Sequence, residues 1–330
     1  MTAETTLLED DVIRHLVRRG LAPSVEDLRG EVLTGGVSND VLAVTGKGLN
    51  LVVKRALGRL RVTQDWEADT ARLVTEGLAL REAAAVIPGA VPEVVDAADG
   101  FLAMERAPDD WRTWKADLMQ GRVDTAIAHR LGHLLATLQR DTSSRLSGLS
   151  PAFADRTAFE QLRTTPFHRQ IRDVHPELVP AIDRTLAHMS TRTDCLVHGD
   201  YTPKNILVGQ SAAEVWIIDW EVAHLGDATF DPAWTVGHLL LKSLHRPQDA
   251  AAFHSAAAEF LAGHAEVRGA PDLDPDQLLR QTGCLLLARA DGRSPVEYLD
   301  DAGRDRARIA GRLALTSNAK TPLDLWKDII

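Results

Sequence analysis

The residues best suited to chemistry lie between Asp194 and Asp231, in the sequence DCLVHGDYTPKNILVGQSAAEVWIIDWEVAHLGDATFD. Asp200 and Asn205 stand in a polar loop between two apolar runs, and Asp219 ends a second strand-like run. Two short strands in tandem would bring this loop close to that strand end. Clustered acids beside buried strands repel one another unless a cation lies among them. The stretch therefore predicts a cation site.

Phosphoryl transfer is the chemistry that these residues predict. Such a reaction needs a carboxylate that orients the acceptor hydroxyl, and carboxylate and amide oxygens that bind Mg²⁺. Asp200 would accept the proton of the substrate hydroxyl. Asn205, which follows the bend at Pro203, would bind Mg²⁺ together with Asp219.

Two spaced motifs in this stretch resemble those of a known family. The first is His-Gly-Asp-x-x-x-x-Asn, which starts at His198, and the second is Ile-Asp-Trp-Glu, which starts at Ile218. The pair resembles the signature of the aminoglycoside phosphotransferases and their relatives, which include choline, methylthioribose, fructosamine and homoserine kinases. A chance polar loop would not produce both motifs at this spacing.

The resemblance covers roughly residues 31 to 300 and implies a bilobal, protein-kinase-like fold of the α+β class. Residues 1–105 would form the N-lobe, with a leading helix, a five-stranded antiparallel sheet and one main helix. Residues 106–330 would form a larger, mostly helical C-lobe with the catalytic loop, the metal site and the acceptor pocket.

Composition bounds the class of protein. The chain has 330 residues, of which 45% are hydrophobic, enough for one large core or two small ones. Cys195 and Cys284 lie in apolar runs, which indicates a reduced compartment without disulfides. No apolar run approaches the roughly 20 residues of a membrane span, and the acidic start lacks the features of a signal peptide. We expect a cytoplasmic monomer or homodimer without a membrane partner.

Net charge bears on the partners. The formal net charge of −10 argues against nucleic acid as a partner and tolerates a cationic substrate. The predicted partner is a small molecule that offers a hydroxyl group.

Period-two patterns predict the sheet of the N-lobe. A leading helix over Leu7–Arg19 comes first, and a helix over Gln64–Ala85 separates the third strand from the fourth. The predicted strands lie at Val32-Leu33, Val41–Val44, Leu49–Val53, Val91–Val95 and Phe101–Glu105.

A glycine-rich turn follows the first strand and could fold over nucleotide phosphates. Gly35, Gly36 and Ser38 have small side chains that let backbone N–H groups approach phosphate oxygens. Gly-Gly turns are also common in hairpins, where their role is structural.

Lys54 ends the strand after this turn, where a kinase-like fold needs a cation for the α- and β-phosphates of ATP or GTP. Arg55, on the opposite face, is its nearest competitor. A carboxylate of the following helix should fix the lysine. Glu76, beside the predicted buried seam, is the first candidate, and the resemblance to methylthioribose kinase-like members supports it. Glu67 and Glu82 are the alternatives.

The resemblance also implies roles at the lobe junction. Backbone groups of Met104, Glu105 and Ala107 would hold the adenine edge of the nucleotide, although an ordinary linker between lobes would look the same. Lys204, directly before the predicted metal ligand, could reach the transferred phosphoryl group and stabilise its charge.

Three further residues would support the catalytic loop. The resemblance implies that His198 braces the loop and that Asp231 hydrogen-bonds the loop backbone. Glu221 either touches the metal through water or only holds the loop.

Helical patterns fill the C-lobe. Asp274 and Pro275 give the helix Pro275–Ala290 a clear start signal, and the tail Thr316–Ile330 should be peripheral. The stretch Ala152–Ser190 should be mostly helical, with breaks at Pro166, Pro176 and Pro180. The other predicted helices are Asp124–Gln139, Val236–Leu244, Ala250–Val267 and Asp300–Leu315.

Residues at the end of the predicted helix Pro275–Ala290 and in the turn that follows it could line the acceptor pocket. Arg289, Asp291 and Glu297 are the candidates, and a capped turn between helices is the alternative. The predicted acceptor is an aminoglycoside-like antibiotic, a sugar, a nucleoside or a related metabolite. His129 and His133 have a spacing able to bind zinc, but no third ligand accompanies them.

Two other classes of function compete with a kinase. A nucleotide-binding pseudokinase or regulatory module would keep the fold without turnover. A metal-dependent hydrolase would use the same acids but would have no need for the glycine-rich turn or for Lys54.

Overall fold

The computed structural model describes residues 3–33, 39–57, 69–316 and 320–329 of the chain. The strands are β1 (Leu28–Val32), β2 (Asn39–Gly46), β3 (Leu49–Ala56), β4 (Val94–Ala98), β5 (Phe101–Glu105), β6 (Arg112–Thr113), β7 (Cys195–Val197), β8 (Ile206–Val208), β9 (Val215–Ile217) and β10 (His224–Gly226).

The helices follow the same order. They are α1 (Ala3–Arg18), α2 (Arg72–Val86), α3 (Trp114–Met119), α4 (Thr125–Ser144), α5 (Thr157–Phe159), a π-helix (Glu160–Arg169), α6 (Gln170–Val174), α7 (Val179–Thr191), α8 (Phe230–His245), α9 (Ala250–Ala265), α10 (Pro275–Asp291), α11 (Asp301–Thr316) and α12 (Leu325–Ile329). Short 3₁₀ turns occur at Leu146–Gly148, Pro151–Ala154, Pro176–Leu178, Pro203–Asn205, Pro247–Asp249 and Pro322–Asp324.

The five-stranded sheet predicted for the N-lobe is confirmed. Its strand order is β1-β2-β3-β5-β4, and every neighbouring pair is antiparallel. One face packs on α1 through Leu8, Val12 and Leu16, and the other contributes to the core that contains Leu73 and Leu80 of α2. Alternate side chains of each strand therefore serve two different helices.

Two N-lobe elements depart from their predicted starts. The beginning of the helix predicted from Gln64 lies outside the described residues. From Asp69 onward α2 begins at Arg72, because the Asp69 carboxylate accepts a hydrogen bond from the Ala71 backbone N–H at 2.8 Å, a local turn that competes with helix. The strand predicted from Val91 begins at Val94, since Pro92 has no N–H to donate to the ladder.

Helices α4 and α9 pack against each other at the closest approach in the C-lobe. A Cβ atom added to Gly132 would lie 1.9 Å from the carbonyl oxygen of Phe260, and one added to Gly263 would lie 2.2 Å from that of His129. Only glycine permits this packing at both positions.

Pro166 does not break its helix as predicted. It lies inside the π-helix Glu160–Arg169. The wider turn of a π-helix leaves room for the ring, which would clash with the preceding turn of an α-helix. The π-helix therefore runs without a gap from α5 into α6, and it carries Arg163.

The C-terminal tail is not peripheral as predicted. Leu325 and Trp326 of α12 are buried in the main core, and the indole N–H of Trp326 donates a hydrogen bond to the Ser243 hydroxyl of α8 at 2.8 Å. Two large apolar side chains gain enough from burial to order the end of the chain.

Both cysteines are buried and unbridged, as expected. Across the described residues, none of the helices combines the length and the apolar character needed to cross a membrane.

Candidate active site

The loop between β7 and β8 is fixed by a buried carboxylate. Asp231, at the start of α8, accepts hydrogen bonds from the backbone N–H groups of His198 at 2.7 Å and of Gly199 at 2.9 Å. Burial raises the pKa of Asp231 to about 7, although these donors oppose the rise. The hydrogen bonds predicted between Asp231 and the loop backbone are confirmed.

His198 links this loop to the strand that precedes Asp219. Its Nε2 lies 3.1 Å from the carbonyl oxygen of Ile218, and its Nδ1 accepts the backbone N–H of Asp200 at 3.1 Å. Burial lowers the pKa of His198 to about 4, so the ring is neutral at pH 7. The neutral ring can then donate from one nitrogen and accept at the other, as these contacts require.

Two cations surround the carboxylate of Asp200. An Arg163 guanidinium nitrogen lies 2.7 Å from Asp200 Oδ2, and Lys204 Nζ lies 2.8 Å from the same oxygen. Burial would raise the pKa of Asp200, but the two cations outweigh burial and leave that pKa below its ordinary value. The buried carboxylate is therefore ionised at neutral pH.

Asn205 lies beside both aspartates. Its side-chain nitrogen donates to the Asp200 carbonyl oxygen at 3.0 Å and to Asp200 Oδ2 at 2.8 Å, which leaves the amide oxygen as the atom that can bind a metal. The Asn205 carbonyl oxygen accepts the N–H of Ile218 at 2.9 Å, next to Asp219. A carboxylate and an amide oxygen thus lie on adjacent strand ends, and this donor set suits Mg²⁺.

Asp219 has a strained backbone. Its φ angle is +70°, in the left-handed region that non-glycine residues rarely adopt. Such strain persists where the surroundings enforce it, and it is concentrated at functional sites. The turn places the carboxylate of Asp219 towards the N-lobe sheet.

Lys54 contacts two carboxylates at once. Its Nζ lies 2.6 Å from Glu76 Oε1 and 2.8 Å from Asp219 Oδ1. Burial would lower the pKa of Lys54, but the two carboxylates raise it, and Lys54 in turn holds the pKa of Asp219 below its usual range against burial. Burial raises the pKa of Glu76 to about 7 despite the lysine.

The residues that were alternatives to Lys54 and Glu76 are described in part, and those described contact other side chains. The Glu82 carboxylate accepts hydrogen bonds from Arg145 at 3.0 Å, and Arg55 pairs with Asp40 at 2.9 Å on the opposite face of β3. The third candidate, Glu67, lies outside the described residues. Among the described candidates, Glu76 is the carboxylate that reaches Lys54.

Glu221 connects the metal-side loop to the N-lobe. Its Oε2 accepts a hydrogen bond from Asn39 of β2 at 2.9 Å and one from Arg72 of α2 at 3.0 Å. The sequence left open whether Glu221 touches the metal through water or only holds the loop. These two hydrogen bonds are contacts that hold the loop.

The residues predicted to hold the nucleotide are described only in part. Gly35, Gly36 and Ser38 lie outside the described residues. Met104 is buried in the sheet, while Glu105 is exposed and Ala107 is half-buried at the lobe junction. Their adenine contacts stay predictions.

The three acceptor-pocket candidates have partners within the protein. Asp291 pairs with Arg308 at 2.7 Å, Glu297 pairs with Lys115 at 2.7 Å, and Arg289 donates to the Ser294 carbonyl oxygen at 2.6 Å. The contact of Arg289 fits the alternative of a braced turn between helices.

One of the two histidines at zinc-binding spacing contacts a carboxylate. His129 Nε2 lies 3.2 Å from a Glu266 carboxylate oxygen. Within the described ranges, no group of three or more His, Cys, Asp or Glu side chains is placed to hold a metal ion.

Sequence reasoning missed Arg163. Besides its ion pair with Asp200, it donates to the carbonyl oxygen of Gly199 at 2.9 Å. No motif marks this arginine, because it comes from the π-helix and meets the catalytic loop only in the folded chain.

Comparison with known proteins agrees with this geometry. The family described as the phosphotransferase enzyme family matches residues 29–270, well over half of the chain. A methylthioribose kinase of Geobacillus sp. strain WCH70 is 28% identical over 282 residues, which cover 75% of this chain and 68% of that protein.

Two solved structures have a similar fold. The amicoumacin kinase hAmiN in complex with AMP-PNP, Ca²⁺ and Ami has a TM-score of 0.60 at 14% identity, with 99% of both chains covered. A thermostable mutant of an aminoglycoside phosphotransferase in ternary complex with ADP and hygromycin B has a TM-score of 0.51 at 16% identity, with 89% of this chain and 95% of that one covered. The fold is the bilobal kinase-like arrangement predicted from the motifs.

Proposed function

The chain belongs to the phosphotransferase enzyme family, and on that premise we propose that it transfers the γ-phosphoryl group of ATP, or of GTP, to a hydroxyl of a small-molecule acceptor. The observation that supports this most is one connected set of contacts. Asp200 contacts Asn205, Asn205 adjoins the strand end that carries Asp219, and Asp219 contacts Lys54, which contacts Glu76.

Asp200 is the residue that orients the acceptor. Its carboxylate is buried, ionised and held by Arg163 and Lys204, so its direction is fixed before any substrate arrives. A fixed acceptor for the hydroxyl proton contributes mainly by positioning, because phosphoryl transfer has a loose transition state that asks little covalent chemistry of the protein.

Lys54 and Glu76 position the nucleotide, and Asn205 and Asp219 hold Mg²⁺. Lys54 is only 7% exposed and is held between two carboxylates, so its ammonium is fixed where the resemblance places the α- and β-phosphates. A bound Mg²⁺ would supply neutralisation of the charge on the phosphate oxygens.

Lys204 supplies a second cation beside Asp200. Its side chain is 56% exposed while its ammonium contacts Asp200. From this position it would stabilise the charge of the transferred phosphoryl group, a contribution that preorganised cations make in such reactions.

The acceptor class is tested by ADP and GDP release. Purified protein with Mg²⁺ and either nucleotide is offered a panel of aminoglycosides, nucleosides, pentoses and amino alcohols. Release that depends on one acceptor class supports the proposal and identifies the substrate. Nucleotide binding without release from any acceptor would indicate a pseudokinase. Phosphate release from a phosphoester without nucleotide would indicate a hydrolase.

A further inference from the structure

Helix α8 carries a buried lysine that has no acidic partner. Lys242 is 2% exposed, and its Nζ has one hydrogen bond, to the His238 carbonyl oxygen at 3.4 Å. Among the residues that the structure describes, no carboxylate lies within 4.0 Å of this ammonium. An ammonium buried without a carboxylate is costly and occurs where it has a function.

The lysine lies on the face of α8 that meets the catalytic loop. Asp231 and Thr235, one turn apart, both hydrogen-bond that loop, the latter through the Tyr201 carbonyl oxygen at 2.7 Å. His238 and Lys242 continue the same stripe at helical spacing. The ammonium therefore extends the acceptor side of the site along α8.

Side chains from three other segments converge on Lys242. Its Nζ lies 5.6 Å from the centre of the Tyr298 ring, and Lys115 Nζ of α3 lies 6.0 Å from the same ring. The Tyr298 hydroxyl is buried and has no hydrogen-bond partner. Arg289 of α10 is close enough to lower the pKa of Lys242, after burial and Lys115. We call Lys115, Lys242, Arg289 and Tyr298 the cationic cluster.

The cationic cluster is open to solvent on one side. Lys115 has a side chain 36% exposed, and its partner Glu297 is 68% exposed. Helix α3 packs on the 3₁₀ turn Pro203–Asn205, which carries the exposed Lys204. A small molecule bound at Asp200 can therefore extend towards Lys242.

We propose that the acceptor carries, besides its hydroxyl group, an anionic group, a carboxylate or a phosphate, that binds between Lys242, Lys115 and the Tyr298 hydroxyl. This inference rests on the proposed function and narrows its acceptor class. Charge-assisted hydrogen bonds to the anion would give the Tyr298 hydroxyl a partner and Lys242 a charged one, and Lys115 could reach the anion from its surface pair with Glu297.

The same cluster disfavours a polycationic acceptor. Burial, Lys115 and Arg289 together lower the pKa of Lys242 to about 7, with Glu297 opposing them, so like charges already crowd this site. An aminoglycoside would add more positive charge, whereas a bound anion would raise that pKa and stabilise the charged form.

Matched pairs of compounds test the inference. Gluconate is compared with glucitol, glycerate with glycerol, and ribose 5-phosphate with ribose, each with MgATP. Binding is followed by calorimetry and turnover by ADP release. We expect an anionic member to bind and turn over at least about tenfold better than its neutral partner, and Lys242→Met to abolish that preference chiefly through KM.

Two controls separate the possible causes. Lys115→Gln, at the open side of the cluster, should weaken the preference without a risk to the fold, and Lys327→Met, whose side chain is 76% exposed on α12, should leave it unchanged. Better binding of neutral or cationic compounds, or no binding preference in any pair, would overturn the inference. Turnover of neutral acceptors alone would overturn it and leave the proposed function intact, whereas charge-selective binding with no turnover of any acceptor would overturn the proposed function alone.

Discussion

The ammonium of Lys54 joins two buried carboxylates from different parts of the fold. Glu76 comes from α2 of the N-lobe and Asp219 from the end of β9 in the C-lobe, at 2.6 and 2.8 Å. In the proposed reaction the same ammonium meets the nucleotide phosphates. Its geometry is set before the nucleotide arrives, which is how a charged group contributes most to catalysis.

Replacement of this lysine should affect nucleotide use more than any neighbouring change. In Lys54→Met, we expect kcat/KM for ATP to fall by roughly 10²–10³-fold, because a preorganised cation is lost from the phosphate site. Initial rates at varied ATP give this value.

Arg55→Met is the matched control, because Arg55 ends on the opposite face and pairs with Asp40. Arg55→Met removes no group from the proposed phosphate site, so kcat/KM for ATP should stay within about tenfold of wild type. An equal loss in both variants would show that the lysine has no special role.

The residues with a motif were predictable, and those without one were not. Asp200, Asn205 and Asp219 have a fixed spacing around two strands, so their proximity follows from the sequence. Arg163 and Lys242 come from helices distant in the chain. For Lys242 alone the sequence offers a sign: this lysine lies in the apolar run of α8, at helical spacing from Asp231.

At the scale of elements, α2 is attached to the C-lobe at its first residue. Arg72 is buried and donates to Glu221 at 3.0 Å and to the carbonyl oxygen of Leu57 at 2.7 Å. A second link joins the Ile217 N–H of β9 to the Ala90 carbonyl oxygen after α2 at 2.8 Å. These contacts fix the helix that presents Glu76.

Loss of the buried arginine should destabilise the fold. Arg72→Met leaves the Glu221 carboxylate buried without that partner, so the free energy of unfolding should fall by about 3–5 kcal/mol. Urea denaturation followed by circular dichroism measures it. Arg81→Met, exposed on the same helix, should change it by less than about 0.5 kcal/mol. Similar values for both variants would contradict the proposed attachment.

Strand β10 gives a prediction about pH. His224 is buried against the Phe159 ring, with ring centres 3.9 Å apart, and burial lowers its pKa to about 3. Its ordinary pKa is about 6.5, so between those values the unfolded chain binds more protons. The contribution of His224 to the free energy of unfolding is complete above pH 6.5 and is lost as the pH falls below that value.

His224→Gln should remove this contribution. Between pH 6.5 and 5, the wild type should lose about 1.4 kcal/mol of unfolding free energy per pH unit more than the variant. Denaturation at several pH values measures the difference. Parallel pH profiles would show that His224 titrates normally in the folded protein.

Element types were predictable where the pattern was long, and boundaries were not. Asp274 caps α10 as predicted, accepting the backbone N–H of Asp276 at 2.9 Å, because a cap is encoded locally. The starts of α2 and β4 depend on an Asp69 turn and on Pro92, which compete with the periodic pattern. The order of the tail depends on a core contributed by distant helices.

At the scale of the molecule, net charge and local charge differ in sign. The chain carries a net charge of −10, yet the cationic cluster gathers Lys115, Lys242 and Arg289 beside the acceptor side of the site. The net charge tolerates a cationic substrate, but a net charge averages over the whole chain. The folded chain gathers these three cations, and in the proposed acceptor site they would favour an anion.

The two lobes contribute different residues to the proposed site. The N-lobe contributes Lys54 and Glu76, and the C-lobe contributes Asp200 and the two proposed metal ligands. The boundary between residues 105 and 106 stays a prediction. The proposed reaction needs both lobes, since Lys54 and Asp219 meet across the junction.

Turnover of Asp200→Asn, compared with that of Asp227→Asn, tests whether Asp200 orients the acceptor hydroxyl. Both aspartates are buried in the same stretch, but Asp227 contacts Thr229 and Gln277 rather than Asp200's partners. With MgATP and the best acceptor, we expect Asp200→Asn to lower kcat by roughly 10²–10⁴-fold with nucleotide affinity retained, and Asp227→Asn to stay within about tenfold of wild type. A kcat for Asp200→Asn close to that of wild type would show that Asp200 does not orient the acceptor hydroxyl.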